Sequence, residues 1–554
     1  GHLPAPNPNP SHHPKLLGLG LDMALALDYA AIVSTKEFRH KTKRRSRMKA
    51  NVVTAVSTLV LLILPGCAPY ITSLNPNMGP VGTQVTILGG RFGATVPENT
   101  VGFGAVVVPA SDLSVVSQNT LNAKVPLGAV TGLVSVKTKN GTGYSKENFV
   151  VPGERRWTFM VYLDADNNLE SAGLKDFLEM ASVGSTGGVT VLVQMDRIAG
   201  GASAYNNWTG TRRFLISNGS TPGSPPLQDM GELNMGNPNV LRDFVEWGIT
   251  NYPADHYALA IWNHGDGWRM NMEKAAQIAG MRRSGADERL VKAVATDDTD
   301  MDVLYMREVQ TALTDARQRL ESRNVTHAKI DLVGFDACLM GMAEVAYALR
   351  DVTNYLVASE ETEPGDGWPY DTILTDLTGN PNMSPADLAR RIVIRYGNAG
   401  YGGVTQAAYE MDKIDDLAFA IDTFADKATS EWNVLKSARG AARQYHPLGS
   451  PSCWGTDIYG FADKVSAAAS SADLRNAANA LKAAVTALVI EEYHTSPDMD
   501  GSHGVAIYFP PDQASFNADP EHTGYQDSNT FMVVDFVQYH RWDNWLPTYY
   551  PNAP

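Results

Sequence analysis

Two segments of this chain end in side chains suited to nucleophilic chemistry. Residues 256–268 read HYALAIWNHGDGW and residues 329–341 read KIDLVGFDACLMG. Each is an apolar, strand-like run that stops at a reactive residue flanked by small ones, His264 in the first and Cys338 in the second. A thiolate is a far better nucleophile than a thiol, and an imidazole within reach supplies the base that generates it. A cysteine and a histidine at the same end of neighbouring parallel strands would form such a couple, which points to hydrolysis through a cysteine nucleophile. Either residue alone says little, because a lone cysteine is more often a small buried hydrophobe.

The flanking periodicity supplies the elements that must position the pair. Apolar runs predict strands at 157–165, 189–196, 257–263, 330–335 and 355–360, with a hairpin-like stretch at 212–216. Helical spacing appears at 166–180, 239–247, 306–323 and 340–350, and again at 416–428 and 466–492. Strands alternating with helices imply a mostly parallel, doubly wound sheet. In such sheets the active site lies just beyond the carboxyl ends of the strands, where both His264 and Cys338 fall. A helix starting just after Cys338 would place its positive end near the sulfur and favour the thiolate.

The pieces WTFMVYLDADNNLE, IWNHGDGW, DLVGFDACLMGMAEVAYAL, YLVASEETEPGDGWPY and HGVAIYFP, with an aromatic closing segment at 536–549, run in order from 157 to about 547. In wording, order and spacing this region resembles the clostripain family of cysteine peptidases, in the caspase-like clan. The resemblance implies an α/β fold with a caspase-like, mostly parallel sheet flanked by helices. It implies Cys338 as the nucleophile and His264 as the base and then the acid. It also implies an oxyanion hole from the backbone N–H groups of Gly265 and Cys338, and glycine suits a backbone that a substrate carbonyl must approach.

Asp336 lies two residues before the nucleophile and on a strand would face the same way as Cys338. The resemblance gives it the task of selecting Arg or Lys at the residue before the cut; a semi-buried carboxylate suits a guanidinium and repels acidic side chains. The alternative is that Asp336 caps the following helix. Asp366, in PGDGW, is a second candidate for the same pocket. Glu360, Glu361 and Glu363 form an acidic strand end that either shapes substrate binding or is solvated.

Between the two reactive segments lies an insert, residues 269–300. The resemblance implies activation by cleavage there, and Lys274, Arg282 and Arg283 are the candidate self-cleavage positions; a solvated surface helix or loop is the alternative. The run DDTDMD at 297–302 suggests calcium by composition, although it lacks the Gly and closing Glu of an EF-hand loop. Calcium is therefore a candidate ligand rather than a required cofactor. Capping of the helix near Met306 accounts for part of the cluster equally well.

The rest of the chain reads as delivery. Residues 1–47 begin GHLPAPNPNPSHHPK, which cannot form a core, and read as a disordered extension upstream of Met48. Residues 48–67 read as a signal peptide: a basic stretch (39–49), the apolar run VVTAVSTLVLLIL, then Leu64-Pro65-Gly66-Cys67. That ending resembles a bacterial lipobox, which implies lipidation of Cys67 and an exported, membrane-anchored protein of the cell envelope or surface. Short β-branched runs broken by Gly, Pro and Asn over 68–152 predict a small all-β sandwich. Its opening, ITSLNPNMGPVGTQVTILGGRF, resembles an IPT/TIG domain, an immunoglobulin-like module suited to spacing an enzyme from its anchor. Residues 153–554 then form the peptidase domain.

Residues 1–66 hold nine Lys/Arg and three Asp/Glu, which leaves 36 basic and 57 acidic residues, a net of −21, for the remainder. So acidic a body argues against nucleic acid as a partner and suits basic peptides. Three cysteines (67, 338 and 453) make no disulfide framework, and Cys453 reads as a free thiol. The expected molecule is a monomeric, exported endopeptidase acting on protein or peptide substrates after Arg or Lys. The competing reading is a catalytically inert adhesion or scaffold lipoprotein.

Overall fold

The computed structural model describes residues 68–553, apart from 78, 80, 105, 127–128, 130–131, 150, 152–155, 270–293, 324, 326–327, 446–453, 520 and 527–533. Cys67, Lys274, Arg282, Arg283 and Cys453 lie outside the described residues.

The first domain is a β-sandwich. Strands β1 (Tyr70–Asn75), β2 (Gln84–Gly90), β3 (Thr100–Phe103), β4 (Val106–Val107), β5 (Leu113–Ser117), β6 (Thr120–Lys124), β7 (Gly132–Thr138) and β8 (Gly141–Phe149) form two antiparallel four-stranded sheets. Their orders are β1-β2-β6-β5 and β4-β3-β7-β8. Alternate residues point inward, so Val85, Ile87, Val101, Phe103, Leu121, Val134, Val136 and Phe149 close one core between the sheets.

The second domain is built on a nine-stranded sheet. Its strands are β9 (Trp157–Ala165), β10 (Val189–Arg197), β11 (Gly210–Leu215), β12 (Gln228–Gly231), β13 (His256–Trp262), β16 (Ile330–Asp336), β17 (Thr353–Ala358), β18 (Thr405–Glu410) and β21 (Val489–His494). The order across the sheet is β12-β11-β10-β9-β13-β16-β17-β18-β21. The five from β10 to β17 are mutually parallel, and antiparallel strands finish both edges. A short hairpin, β14 (Ala295–Asp297) with β15 (Asp302–Leu304), closes the insert. Strands β19 (Gln444–Tyr445), β20 (Gly455–Asp457) and β22 (Ala506–Tyr508) form a small third sheet.

Every residue of β9 is buried, because helices cover both faces. Phe159, Val161 and Leu163 face helices α1 (Glu170–Val183), α5 (Tyr370–Gly379) and α6 (Pro385–Gly397). Met160 and Tyr162 face α2 (Pro238–Asn251), α3 (Met306–Ser322) and α4 (Ala343–Leu349). Farther along the chain come α7 (Ile414–Lys427), α8 (Trp432–Ala441), α9 (Ile458–Ala468) and α10 (Ala472–Leu488). The aromatic closing segment seals the same core, with Trp542, Trp545 and Tyr549 around Phe509 at centroid distances of 5.2, 5.6 and 5.0 Å.

Four expectations need correction. The helix expected from 166 begins at Glu170, and the freed loop 166–169 reaches the site. The helix expected over 466–492 is three elements (α9, α10 and the edge strand β21), since the β-branched and aromatic residues of VIEEYH pair with β18 instead of extending α10. The acidic run at 297–302 does not cap α3; Tyr305 occupies the N-cap and Glu308 closes the capping box. Finally, the helix expected just after Cys338 starts only at Ala343, so no helix N-terminus adjoins the sulfur. Residues 339–342 instead fold back on the end of β17, through Leu339 N–H to Glu361 O (3.1 Å) and Gly341 N–H to Ser359 O (2.7 Å).

Candidate active site

Register explains why a histidine and a cysteine far apart in sequence arrive together. β13 and β16 are adjacent and parallel, and their last paired residues are Trp262 and Asp336. His264 and Cys338 each stand two residues beyond that pair. Both are half-buried and line one cavity of about 190 Å3 together with Leu169, Trp262, Asn263, Asp336, Glu363 and Gly367. Drug-sized ligands fill roughly 300–1,000 Å3; this cavity is on the scale of one long side chain.

Gly265 sits against the backbone of Cys338. A Cβ there would lie 2.2 Å from Cys338 O and 2.9 Å from Cys338 N. Only glycine allows the two strand ends to approach so closely.

Two contacts prepare the reacting groups. The Glu363 N–H donates to Cys338 Sγ at 3.2 Å, so a backbone dipole takes over the stabilising part expected of a helix end. His264 Nε2 lies 2.8 Å from Asn168 Oδ1. An amide oxygen only accepts, so Nε2 carries the proton in this arrangement and Nδ1 is the basic nitrogen. Leu339, next to Cys338, adopts φ +63°, a left-handed conformation uncommon outside glycine. It turns the chain away from the strand so that the sulfur faces the cavity.

Asp336 lines the cavity as a wall rather than capping a helix. Its carboxylate accepts the Trp368 N–H (3.2 Å) and the Tyr370 hydroxyl (2.9 Å). Burial pushes its pKa up to about 6, against those donors. Two further carboxyls stand close. Asp176 accepts the Trp262 indole N–H at 2.6 Å, and Glu363 accepts the Gln406 amide at 3.0 Å. A Cβ on Gly367, at φ +59°, would lie 3.0 Å from Asp336 Oδ2 and 3.1 Å from Asp176 Oδ2, so the glycine packs closely against both carboxylates. Burial first, then the Asp336 charge, holds Asp176 and Glu363 well above the ordinary carboxyl range. Three carboxyls so placed cannot all ionise unless a cation joins them.

Asp366 is not part of this wall. It is exposed and pairs with Lys175 at 2.7 Å on the surface. Glu360 and Glu361 are buried away from the cavity, Glu360 accepting the Gly504 N–H at 3.0 Å; neither is a solvated loop carboxylate. Sequence reasoning missed Asn168 and Asp176. Asn168 was absorbed into an expected helix, and Asp176 reads as an ordinary polar position on α1.

A parallel sheet that presents a thiol and an imidazole over an acidic, side-chain-sized cavity is the arrangement of a cysteine hydrolase. Residues 161–549 match the clostripain family and residues 69–151 the IPT/TIG domain. The chain belongs to the clostripain family. Clostripain of Hathewaya histolytica is 30% identical over 254 residues, which is 42% of this chain and 44% of that protein; the match thus spans less than half of that relative. Among solved structures, a secreted C11 cysteine protease from Bacteroides thetaiotaomicron in complex with an irreversible peptide inhibitor is 20% identical, with a TM-score of 0.48 over 70% of this chain and 99% of that one. An inactive zymogen C11 protease from Parabacteroides distasonis is also 20% identical, with a TM-score of 0.47 over the same shares.

Proposed function

We propose that this chain is an exported cysteine endopeptidase that cuts after Arg or Lys. The observation that carries the proposal is the shared cavity: His264 and Cys338 open onto it and Asp336 forms its wall. His264 takes the Cys338 proton, and the thiolate attacks the scissile carbonyl carbon. The carbonyl oxygen, now negative, is held by the N–H groups of Gly265 and Cys338. Protonated His264 then delivers its proton to the leaving amine, which departs as the C–N bond breaks and leaves a thioester on Cys338. Water, deprotonated by the same imidazole, hydrolyses the thioester and frees the enzyme. A guanidinium or ammonium in the cavity pairs with Asp336 and supplies the positive charge that the neighbouring Asp176 and Glu363 lack.

The fate of the chain follows from the same reading. Signal-peptide removal and lipidation at Cys67 would tether the protein to the envelope, with the β-sandwich as spacer. Cleavage after Lys274, Arg282 or Arg283 would match the enzyme's own preference. Both ends of that insert are anchored: Arg269 is buried against Asp519 at 2.5 Å, and the β14–β15 hairpin closes the other end. The two parts would therefore stay joined through the pairing of β13 with β16.

The test is hydrolysis of an Arg-amide fluorogenic peptide. Cys338→Ala should lose activity by roughly 10⁴-fold or more, with thiol alkylation of the wild type giving the same loss. Equal rates for Cys338→Ala and wild type would overturn the assignment and favour an adhesion role.

A further inference from the structure

We propose that one end of the β-sandwich is a membrane-facing site that takes the phosphate headgroups of anionic lipids. A groove of about 550 Å3 opens there, lined among others by Arg91, Gln118, Lys137, Thr138, Lys139 and Asn140. These residues come from three places: just after β2, the turn between β5 and β6, and the hairpin end of β7 and β8. β2, β5 and β6 belong to one sheet and β7 and β8 to the other. The groove therefore crosses the end of the sandwich, where the loops of both sheets converge.

Three of the lining side chains are exposed cations. Arg91, Lys137 and Lys139 form no salt bridge among the described residues, whereas Lys124 of the same domain is paired with Asp112 at 3.3 Å. Glu98 is the one acid in the lining, and its Oε2 is engaged by its own loop, accepting the Thr95 N–H at 3.0 Å. Arg91 adopts φ +62°, a left-handed conformation uncommon outside Gly and Asn, and its guanidinium lies 5.7 Å from the centre of the Tyr70 ring. The walls are fixed before any ligand arrives. The Phe92 N–H donates to Gln118 O (3.0 Å), and the buried Asn99 side chain accepts the Gly93 N–H (2.8 Å) and donates to Thr95 O (2.8 Å). A groove built in advance loses little order on binding.

Charge divides the two domains. Residues 68–152 hold five Lys/Arg and three Asp/Glu, a net of +2, whereas residues 153–554 hold 31 basic and 54 acidic residues, a net of −23. An anionic bilayer attracts the first and repels the second. That field fades within a Debye length, about 8 Å at physiological ionic strength, so only cations at the end facing the lipid feel it strongly. Three of the five cations of the sandwich line this one groove.

Position selects a lipid surface over a soluble anion. Ala68 directly follows Cys67, the proposed lipid-bearing residue, and it lies at the same end as the groove. A Cβ on Gly141, the first residue of β8, would stand 3.0 Å from Ala68 Cβ, and Tyr70 at the start of β1 pairs with Gly90 at the end of β2. From there β8 runs nine residues, roughly 27 Å at about 3.4 Å per residue, to the far end of the sandwich. At that far end Asn148 donates to Thr250 O of α2 at 3.1 Å. The cationic end thus adjoins the anchor, and the acidic peptidase meets the opposite end. The orientation rests on anchoring at Cys67; the affinity of the groove for anionic headgroups does not.

The test is amide hydrogen exchange on the full chain carrying Cys67→Ser, so that binding is read without a lipid anchor. The probes are vesicles of equal parts phosphatidylglycerol and phosphatidylcholine, and vesicles of phosphatidylcholine alone. Exchange in 91–99 and 137–141 should slow with the mixed vesicles and not with phosphatidylcholine, and the slowing should fade as salt is raised. Arg91→Asn/Lys137→Gln/Lys139→Gln should lose the slowing while hydrolysing an Arg-amide peptide at the wild-type rate; asparagine keeps the left-handed backbone at 91. The basic stretch 39–49 is present in both chains, so the difference between them belongs to the groove. Absence of slowing in the parent chain, or equal slowing in the triple variant, would overturn the proposal. Slowing by inorganic phosphate or an anionic polysaccharide but not by the mixed vesicles would overturn the membrane assignment. The mass of residue 67 in the wild type reads the anchor separately: a cysteine without lipid would remove the anchor and leave the groove result standing.

Discussion

Two groups of buried carboxylates stand at the carboxyl ends of one sheet, and the strand that carries His264 runs between the strands that hold them. Asp336 and Glu363, with Asp176 close behind, adjoin a cavity of about 190 Å3 that Cys338 also lines. Asp166 and Asp196 form one acidic group with the exposed Glu232, which also belongs to a second group with Asp297 and Asp300. Burial raises the pKa in both places, to about 6 for Asp336, about 6 for Asp297 and about 8 for Asp196. Each group therefore carries an unmet demand for positive charge. The difference lies in the space around it: Asp336 and Glu363 line a cavity, whereas the second group opens to solvent through the exposed Glu232 and Asp300. Residue type sets the charge of a site, and backbone geometry sets what can answer that charge.

The comparison breaks most visibly at Asp336. Asp336→Asn should cost about 2–5 kcal/mol of binding to a basic side chain, roughly 30-fold to several thousand-fold in kcat/KM for an Arg substrate. A citrulline substrate should be hydrolysed at a nearly unaltered rate. Loss of activity on both substrates would make Asp336 structural instead.

pH sharpens the same contrast. The ionised form of Asp336 is the one that pairs with a cationic side chain, so the preference for Arg over citrulline should grow as pH rises through about 6 and fade below it, by up to about tenfold per unit. Stability runs the other way. A carboxyl whose pKa is raised in the folded protein binds its proton more tightly there, so its contribution is full below the ordinary value of 3.8 and is lost as pH rises through about 6. An Arg/citrulline ratio that is flat between pH 5 and 7 would remove Asp336 from substrate recognition.

The smallest effect belongs to Asp366. Its pair with Lys175 is exposed, and such pairs contribute little. Asp366→Ala should change kcat/KM for an Arg substrate by less than about twofold. A drop comparable to that of Asp336→Asn would return Asp366 to the pocket.

Much of this was legible in one dimension. Uninterrupted apolar runs identify β9, β13 and β16 because strands covered on both faces have no polar side to show. The placement of His264 and Cys338 at strand ends follows from the same pattern. Local signals failed where tertiary partners outvote propensity. Residues 166–169 carry helical spacing but are drawn into contacts with Thr296, Thr299 and His264. Residues 339–342 leave the helical path to bond with the end of β17. VIEEYH continues a helical rhythm, yet it completes the sheet edge.

The sequence by itself determined the two domains, the parallel sheet, the reactive pair and the acidic bias, because these rest on periodicity and composition, which are local properties. Only the tertiary structure decided that Trp262 pairs with Asp336, so that His264 and Cys338 emerge level. It alone separated Asp336 from Asp366 and gave Asn168 and Asp176 their places. Those outcomes depend on strand register and on loops held by distant partners, and a residue carries no local mark of which remote group it will meet.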